Sequence, residues 1–520
     1  MTRAEMYRRL ERHEGPWDMI VVGGGATGAG VAVDAATRGY SVLLLEQSDF
    51  GKGTSSRSTK LAHGGVRYLE QGNFSLVMEA LKERGRLLRN APHLVRNLGF
   101  VVPNYDWWQA PFYGVGLKLY DLLAGKYGFG SSRILSREET LERLPTIRAE
   151  DLRGGVIYFD GQFDDARLLI HLVATASDHG AALLNYTRVT GVRKDAAGFV
   201  DGVRVRDEET GEEFDAAARV VINATGAFSD AVRRMADAGV APMIAPSQGI
   251  HLVFDGRFLA GDSAIMVPHT SDGRVMFAIP WHGHTLVGTT DTPVAEAAAE
   301  PVAMEEEIEF ILQTAALYLA KAPARSDVLS VFAGIRPLVR QGDGGRTASL
   351  SRDHTIRIED SGMVTIAGGK WTTYRHMAED CVDQAATLAR LEERPCVTAE
   401  LQIHGYCQGA EEFGHRSVYG SDAPAVMASG DVRPLHPALP YSGAEVLWAV
   451  RGEMARTVED VLARRTRALF LNARAAVQMA PAVAAVMSAE LGRSQDWIAS
   501  QVRAFAEIAK NYTLQSESRP

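Results

Sequence analysis

A chain of 520 residues is too long for one compact core and predicts two or three domains. Its 46% hydrophobic and 23% charged content is that of a soluble globular protein, and a net charge of −9 argues against broad nucleic-acid binding while allowing a local basic pocket. The three cysteines, Cys381, Cys396 and Cys407, form no CxxC pair, which argues against a disulfide framework and for a reducing compartment.

The opening MTRAEMYRRLERHEG carries acids and no apolar run, unlike a secretory signal. Residues 19–22 read as a buried parallel strand, 26–38 as an alanine-rich helix ended by Gly39, and 41–45 as a second buried strand. Between the strands, Gly23-x-Gly25-x-x-Gly28 fits the dinucleotide fingerprint. Gly23 permits the tight turn, Gly25 lets backbone approach a pyrophosphate, and Gly28 lets the helix pack on the strand. The helix N-terminus then offers N–H groups to phosphate. Glu46, at the end of the second strand, suits ribose hydroxyls and so NAD or FAD rather than NADP.

A loop dense in hydroxyls follows, with Thr54, Ser55, Ser56, Ser58 and Lys60, able to line phosphates or a polyol chain. The aromatic stretch at 105–114 and the apolar residues up to Leu123, with Lys118 and Lys126, suit either a membrane-interface segment or a buried helix. Residues 185–212 read as an antiparallel meander. The strand at 220–223 then ends in Ala224-Thr225-Gly226, a turn facing the adenosine half of a dinucleotide. Strand patterns recur at 250–254, 275–279 and 285–288. His282 and His284 have no third ligand at a convincing spacing, so no metal is expected. Residues 363–368 form another strand running into Gly369-Lys370, with a helix continuing to about Leu391. From about 400 the pattern is helical, with a capping box at Thr457 and Asp460 and an apolar face of Ile498, Val502, Phe505 and Ile508. The apolar stretch 475–489 is too short to span a bilayer.

The stretches TSSRSTKLAHGGVRYLE (54–70), FDGQFDDARL (159–168), INATGAFSD (222–230), QGIHLVF (248–254), AIPWHGHTLVGTTD (278–291), AGIRPL (333–338) and AGGKWTTYR (367–375) occur in that order. Together they resemble the FAD-dependent glycerol-3-phosphate dehydrogenases, within the D-amino-acid-oxidase-like flavoprotein superfamily. The resemblance spans roughly residues 17–380, and 445–467 looks like the family's helical extension.

The resemblance implies an α/β fold. Its parts are a glutathione-reductase-type, Rossmann-like FAD-binding domain, an antiparallel-sheet substrate domain and a C-terminal helical domain. The flavin domain would be discontinuous, using 17–90, 155–240 and 340–395. The substrate side would use 91–154 and 241–339, and the helical domain 400–520. The cofactor set would extend to Ala26, Thr27, Gln47, Leu61, His63, Gly64 and Gly65, and to Thr372 and Thr373 beside Gly369 and Lys370.

The implied reaction oxidises sn-glycerol 3-phosphate to dihydroxyacetone phosphate, with hydride transfer from C2 to FAD N5 and electrons passing to a membrane quinone. Arg336, in a turn before Pro337, would bind phosphate through its planar fork. Arg67, Tyr68 and Lys370 would face the substrate end of the flavin. His63 and His251 are both candidates for the general base, since histidine titrates near the working range. The cations Arg67 and Lys370 could share that role by lowering the alcohol's pKa. The resemblance further implies a cytoplasmic protein held peripherally at the inner face of the cytoplasmic membrane; a homodimer is an open expectation. The alternatives are an oxidase using oxygen, an amine or amino-acid oxidase of the same superfamily, and a non-catalytic binding protein of the same fold.

Overall fold

The computed structural model describes residues 1–65, 73–106, 109–268, 270, 273–340 and 353–514. Helix α1 (Arg3–Arg12) precedes strand β1 (Trp17–Val22), helix α2 (Ala26–Thr37) and strand β2 (Val42–Leu45). Next come β3 (Leu61–Ala62), α3 (Phe74–Asn90), β4 (Val95–Asn104), α4 (Gln109–Ala124), β5 (Arg133–Leu135), α5 (Arg137–Arg143) and β6 (Gly154–Phe163). Helix α6 (Asp165–Asp178) leads to β7 (Ala182–Leu184), the meander β8 (Thr187–Lys194), β9 (Val200–Asp207) and β10 (Glu213–Asn223), and then α7 (Ser229–Ala236). The chain continues through β11 (Ile244–Asp255), β12 (Ser263–Val267), β13 (Met276–Trp281), β14 (His284–Gly288), β15 (Thr292–Pro293), α8 (Glu305–Tyr318) and β16 (Ser330–Val339). Strands β17 (His354–Ile358) and β18 (Val364–Gly368) and helix α9 (Tyr374–Leu388) complete this part.

Two large sheets result among the described residues, besides a two-stranded antiparallel hairpin of Pro434–His436 and Leu439–Ser442 in the C-terminal part. The first runs β17-β18-β10-β1-β2-β7, parallel from β18 to β7, with β9 and β8 extending β10 as an antiparallel flap. β1 and β2 are apolar along nearly their whole length because the sheet is covered on its faces, and α2 packs against both α6 and α9. Gly39, at φ +82°, ends α2 in the left-handed conformation. The registers Val22↔Leu45 and Val22↔Asn223 align the carboxyl ends of β1, β2 and β10, and Asn223↔Thr365 brings in β18. The glycine turns seen in the sequence therefore all leave the sheet at the same edge. A ligand binds at that edge in such sheets.

The second sheet runs β15-β11-β14-β13-β12-β4-β6-β3, with β16 on β11 and β5 on β6. It includes β6, whose residues after Gly154 fall in the segment 155–240 that the sequence reading gave to the flavin side. Ten residues of β6 pair antiparallel with β4, from Val95↔Phe163 to Asn104↔Gly154, and that ladder draws the strand into the second sheet. Arg336 lies within β16 rather than in a turn, because β16 pairs with β11 in unbroken register through Ser247↔Arg336 and Val339.

The C-terminal part carries α10 (Ala423–Ala428), α11 (Gly443–Gly452), α12 (Ala468–Leu471), α13 (Ala473–Leu491) and α14 (Gln495–Ala509). Thr457 and Asp460 do bond each other's backbone N–H groups, but the segment they open is a π-helix, Asp460–Arg465, not the expected α-helix. Its Arg464 and Arg465 reach back into the first sheet's loops, and Arg467, at φ +64°, stops it. Leu469 and Phe470 share one apolar core with Phe332 and Val253 of the second sheet. In α4, Tyr113, Leu117 and Tyr120 are buried in that same core, while Leu119 and Leu122 face outward. Trp107 and Trp108 lie outside the described residues. Among the described residues no helix is long and apolar enough to cross a membrane.

Candidate active site

The convergent turns enclose a cavity of about 520 Å³. Gly23, at φ +109°, closes the turn after β1, and a Cβ there would stand 2.8 Å from the Ala224 carbonyl oxygen. A Cβ on Gly28 would sit within the van der Waals shell of the Gly23 carbonyl oxygen, so no side chain fits. Gly25, Ala26 and Thr27 present the first turn of α2 to the cavity. This glycine cradle, with helix N–H groups aimed into it, fits a dinucleotide pyrophosphate. Glu46 lines the cavity beside Gln47; its carboxylate accepts from Gly24 N at 2.7 Å and Ser48 N at 2.8 Å. Burial raises its pKa, and the two backbone bonds oppose the rise. Ala224, Thr225 and Gly226 line the same space from β10.

The hydroxyl loop divides. Thr54, Ser55 and Ser58 line the cavity, and Ser55 Oγ accepts from Ala26 N at 2.9 Å. Ser56 and Lys60 do not line it. Ser56 is buried, and its carbonyl accepts from the Lys60 ammonium at 2.9 Å. Lys60 points away from the cavity into an ion pair with Asp165 at 2.7 Å, which corrects its assignment to the cofactor set. A buried ammonium needs a partner, and the carboxylate that supplies it lies on the far side of the loop.

From β18, Gly369, Lys370 and Thr372 line the cavity. Thr372 Oγ1 accepts from His63 N at 3.2 Å, tying that turn to the start of the HGG stretch. Thr373 is buried and turned inward, donating to the Lys370 carbonyl at 3.3 Å. Gly64 also lies away from the cavity, its N–H donating to Tyr120 Oη at 2.9 Å. Arg67 and Tyr68 lie outside the described residues.

A second cavity of about 230 Å³ adjoins the first, and both are lined by Thr59, Leu61, His63, Thr289 and Arg336. Gly65 lines the second. Arg336 donates to Thr290 O at 2.9 Å, Thr289 Oγ1 at 3.1 Å, Asp291 Oδ1 at 3.2 Å and Gln248 O at 3.3 Å. Asp291 is held in turn by Ser247 Oγ. His251 is buried, stacked on Phe332 at 4.9 Å, and its Nε2 bonds Thr59 Oγ1 at 2.9 Å. Burial, then Lys60 and Arg336, hold its pKa well below the ordinary histidine value, so it is neutral. His282 and His284 are used elsewhere, His282 bonding Asp164 at 2.9 Å.

Sequence reasoning missed Arg274, which lines the second cavity, and Asp291, which orients Arg336. Asp291 stands at the end of GTTD, a stretch quoted for the resemblance without a role. Arg274 carries no local signal. Also missed were Arg464, Arg465 and Arg467. Arg464 and Arg465 pair with Asp49 in the cofactor loop at 2.5 Å, and Arg467 with Asp165 at 3.0 Å.

Residues 18–375 match the family described as FAD dependent oxidoreductase, and residues 396–497 match the C-terminal domain of alpha-glycerophosphate oxidase. The mitochondrial glycerol-3-phosphate dehydrogenase of Mus musculus is 43% identical over 518 residues, covering 92% of this chain and 71% of that protein. The mitochondrial enzyme of that name from Arabidopsis thaliana is 40% identical over 544 residues, covering 96% and 86%. The crystal structure of glycerol-3-phosphate dehydrogenase from Bacillus halodurans, complexed with FAD, superposes with a TM-score of 0.80 at 31% identity over 99% of both chains. Glycine oxidase from Geobacillus kaustophilus, at 21% identity and a TM-score of 0.53, shares the fold over 75% of this chain. The chain belongs to the FAD-dependent oxidoreductases, in the family of the glycerol-3-phosphate dehydrogenases, and FAD is its cofactor.

Proposed function

We propose that this enzyme oxidises sn-glycerol 3-phosphate to dihydroxyacetone phosphate and passes the electrons to a quinone at a membrane surface. The observation that carries the reading is Arg336, fixed by four acceptors at the junction of the two cavities, beside His251 and His63. Bound FAD supplies the acceptor for the hydride from C2. The chain's residues do the rest. Arg336 offers a rigid cation to the phosphate, and Arg274 and Lys370 add positive charge to the cavities' lining. His251, kept neutral, can take the hydroxyl proton at Nε2 by way of the Thr59 hydroxyl bonded there, which passes its own proton to the ring as it accepts the substrate's; His63, on the wall shared by both cavities, is the other candidate. A dianion suits this set better than the single carboxylate of an amino acid.

The discontinuous flavin domain is proposed on the same basis, with its segments meeting at the carboxyl edge of the first sheet. For the membrane, the supporting surface is the outer side of α3, α4 and β5. There Phe74, Met78, Leu119, Leu122 and Ile134 are exposed. A face of this kind suits peripheral contact at the inner leaflet of the cytoplasmic membrane. The match of residues 396–497 to an oxidase C-terminal domain favours oxygen as a second reading for the acceptor.

The test is to add glycerol 3-phosphate to the yellow protein without oxygen. Bleached flavin bands support the reaction, and persistent bands refute it. Reoxidising the reduced protein with a quinone analogue or with oxygen then separates the two acceptors.

A further inference from the structure

Lys60 is fully buried and adopts a left-handed backbone, φ +65°, which a lysine rarely takes. Such a conformation persists only where its surroundings hold it in place. The holding groups here are specific. The ammonium donates to Ser56 O and Asp165 Oδ2, and the rings of Phe332, Trp281 and Phe470 stand 5.0–5.5 Å from it. Arg467 reaches the other oxygen of Asp165 at 3.0 Å and lies 3.7 Å from Asp164, so Lys60 and Arg467 together balance the two buried acids.

Two routes lead from Lys60 to the reaction site. Thr59, its neighbour in the chain, bonds His251 Nε2 at 2.9 Å. Phe332, one of the rings around its ammonium, stacks on the His251 imidazole at 4.9 Å and 17°. We infer that Lys60 is a positioning residue for the reaction: its anchored ammonium fixes the 58–61 turn so that the Thr59 hydroxyl and the Phe332 ring aim His251 into the cavity. The inference rests on the reading that His251 serves the oxidation of glycerol 3-phosphate.

Among the described residues the charged groups bearing on His251 are Lys60 from this turn and Arg336 from β16, while β14 places the uncharged Gly288 against its ring. Burial pushes the Lys60 ammonium down to about 7, with Asp165 and Asp164 opposing the fall and Arg467 adding to it, so Lys60 carries its charge on the acid side of neutrality, where the acid limb lies. Removing the Lys60 charge takes away one of the two cations that disfavour protonated His251. Its pKa then rises, and the acid limb of kcat/KM moves to higher pH.

The experiment compares holoenzymes of wild type, Lys60→Met, Lys60→Arg and Thr59→Val by anaerobic flavin bleaching with glycerol 3-phosphate across pH. Lys60→Met is expected to keep its flavin, to bleach about tenfold slower or more, and to change KM less than about threefold. Its acid limb should shift upward by about one pH unit, whereas Lys60→Arg should keep the wild-type limb. A merely structural role would lower flavin content and melting temperature and leave the limb in place. That outcome, or a Lys60→Met enzyme with wild-type rate and profile, overturns the inference. If Lys60→Met does not fold, Thr59→Val decides: loss of rate with retained flavin supports the inference, and wild-type rate overturns it. A wild-type protein that does not bleach overturns the activity reading and this inference together, whereas a reactive wild type with an indifferent Lys60→Met overturns the positioning alone.

Discussion

Replacing Arg336 by alanine tests the phosphate assignment most directly. The guanidinium is already oriented by Asp291, Thr289, Thr290 and Gln248, so little ordering remains when an anion binds. Losing a buried charge-assisted contact costs about 2–5 kcal/mol. Arg336 keeps a 26% exposed side chain, which places the loss at the lower end, about 2–3 kcal/mol, or roughly 30- to 150-fold in affinity. Alanine also takes one cation away from Asp291, which lines the second cavity and keeps its bond from Ser247 Oγ, and its charge would repel a phosphate dianion. The double variant Arg336→Ala/Asp291→Asn should therefore recover part of the loss. The glycine turns and Glu46 are untouched, so the flavin spectrum should be that of wild type. The assay is the concentration dependence of anaerobic flavin bleaching by glycerol 3-phosphate. A KM within about threefold of wild type, with flavin retained, would refute the assignment.

Gly28→Ala should abolish flavin retention, because the new methyl meets the Gly23 carbonyl and forces α2 off the turn; a protein that purifies yellow would contradict the cradle. His404 bonds Asp178 and Asp422, and those bonds raise its pKa to about 9. A raised pKa stabilises the fold below the unfolded value and the gain is lost as pH rises, so thermal stability should fall between about pH 6.5 and 9. His404→Gln should flatten that slope, and an unchanged slope would discount the pair. Leu122 is 76% exposed on α4, and Leu122→Glu should weaken binding to anionic lipid vesicles by roughly tenfold while leaving flavin bleaching intact. Equal sedimentation of both proteins with vesicles would remove α4 from the membrane surface.

The cofactor turns were legible in the sequence because their chemistry is local. Gly23, Gly25 and Gly28 act within one turn, and Glu46 follows one strand later; spacing alone defines their places. The ATG turn after β10 and the Gly-Gly turn after β18 carry the same kind of signal. Strand β6 was harder to place. Its apolar run suits either sheet, and only its ten-residue ladder with β4 decides.

The roles of single charged residues were decided by tertiary structure. Lys60 sits in a hydroxyl-rich loop and reads as a phosphate ligand, yet Asp165, 105 residues away, draws its ammonium inward. Nothing within the run itself marks Arg464, Arg465 and Arg467 as buried, and they are buried because Asp49 and Asp165 pair with them across the fold. Arg336 gains its fixed geometry from Asp291, 45 positions earlier. Backbone demands such as a tight turn are written in nearby residues. The partner of a buried charge is set by long-range packing, so the sequence by itself determined the glycine turns at the sheet's edge, and only the folded chain determined which cations line the two cavities.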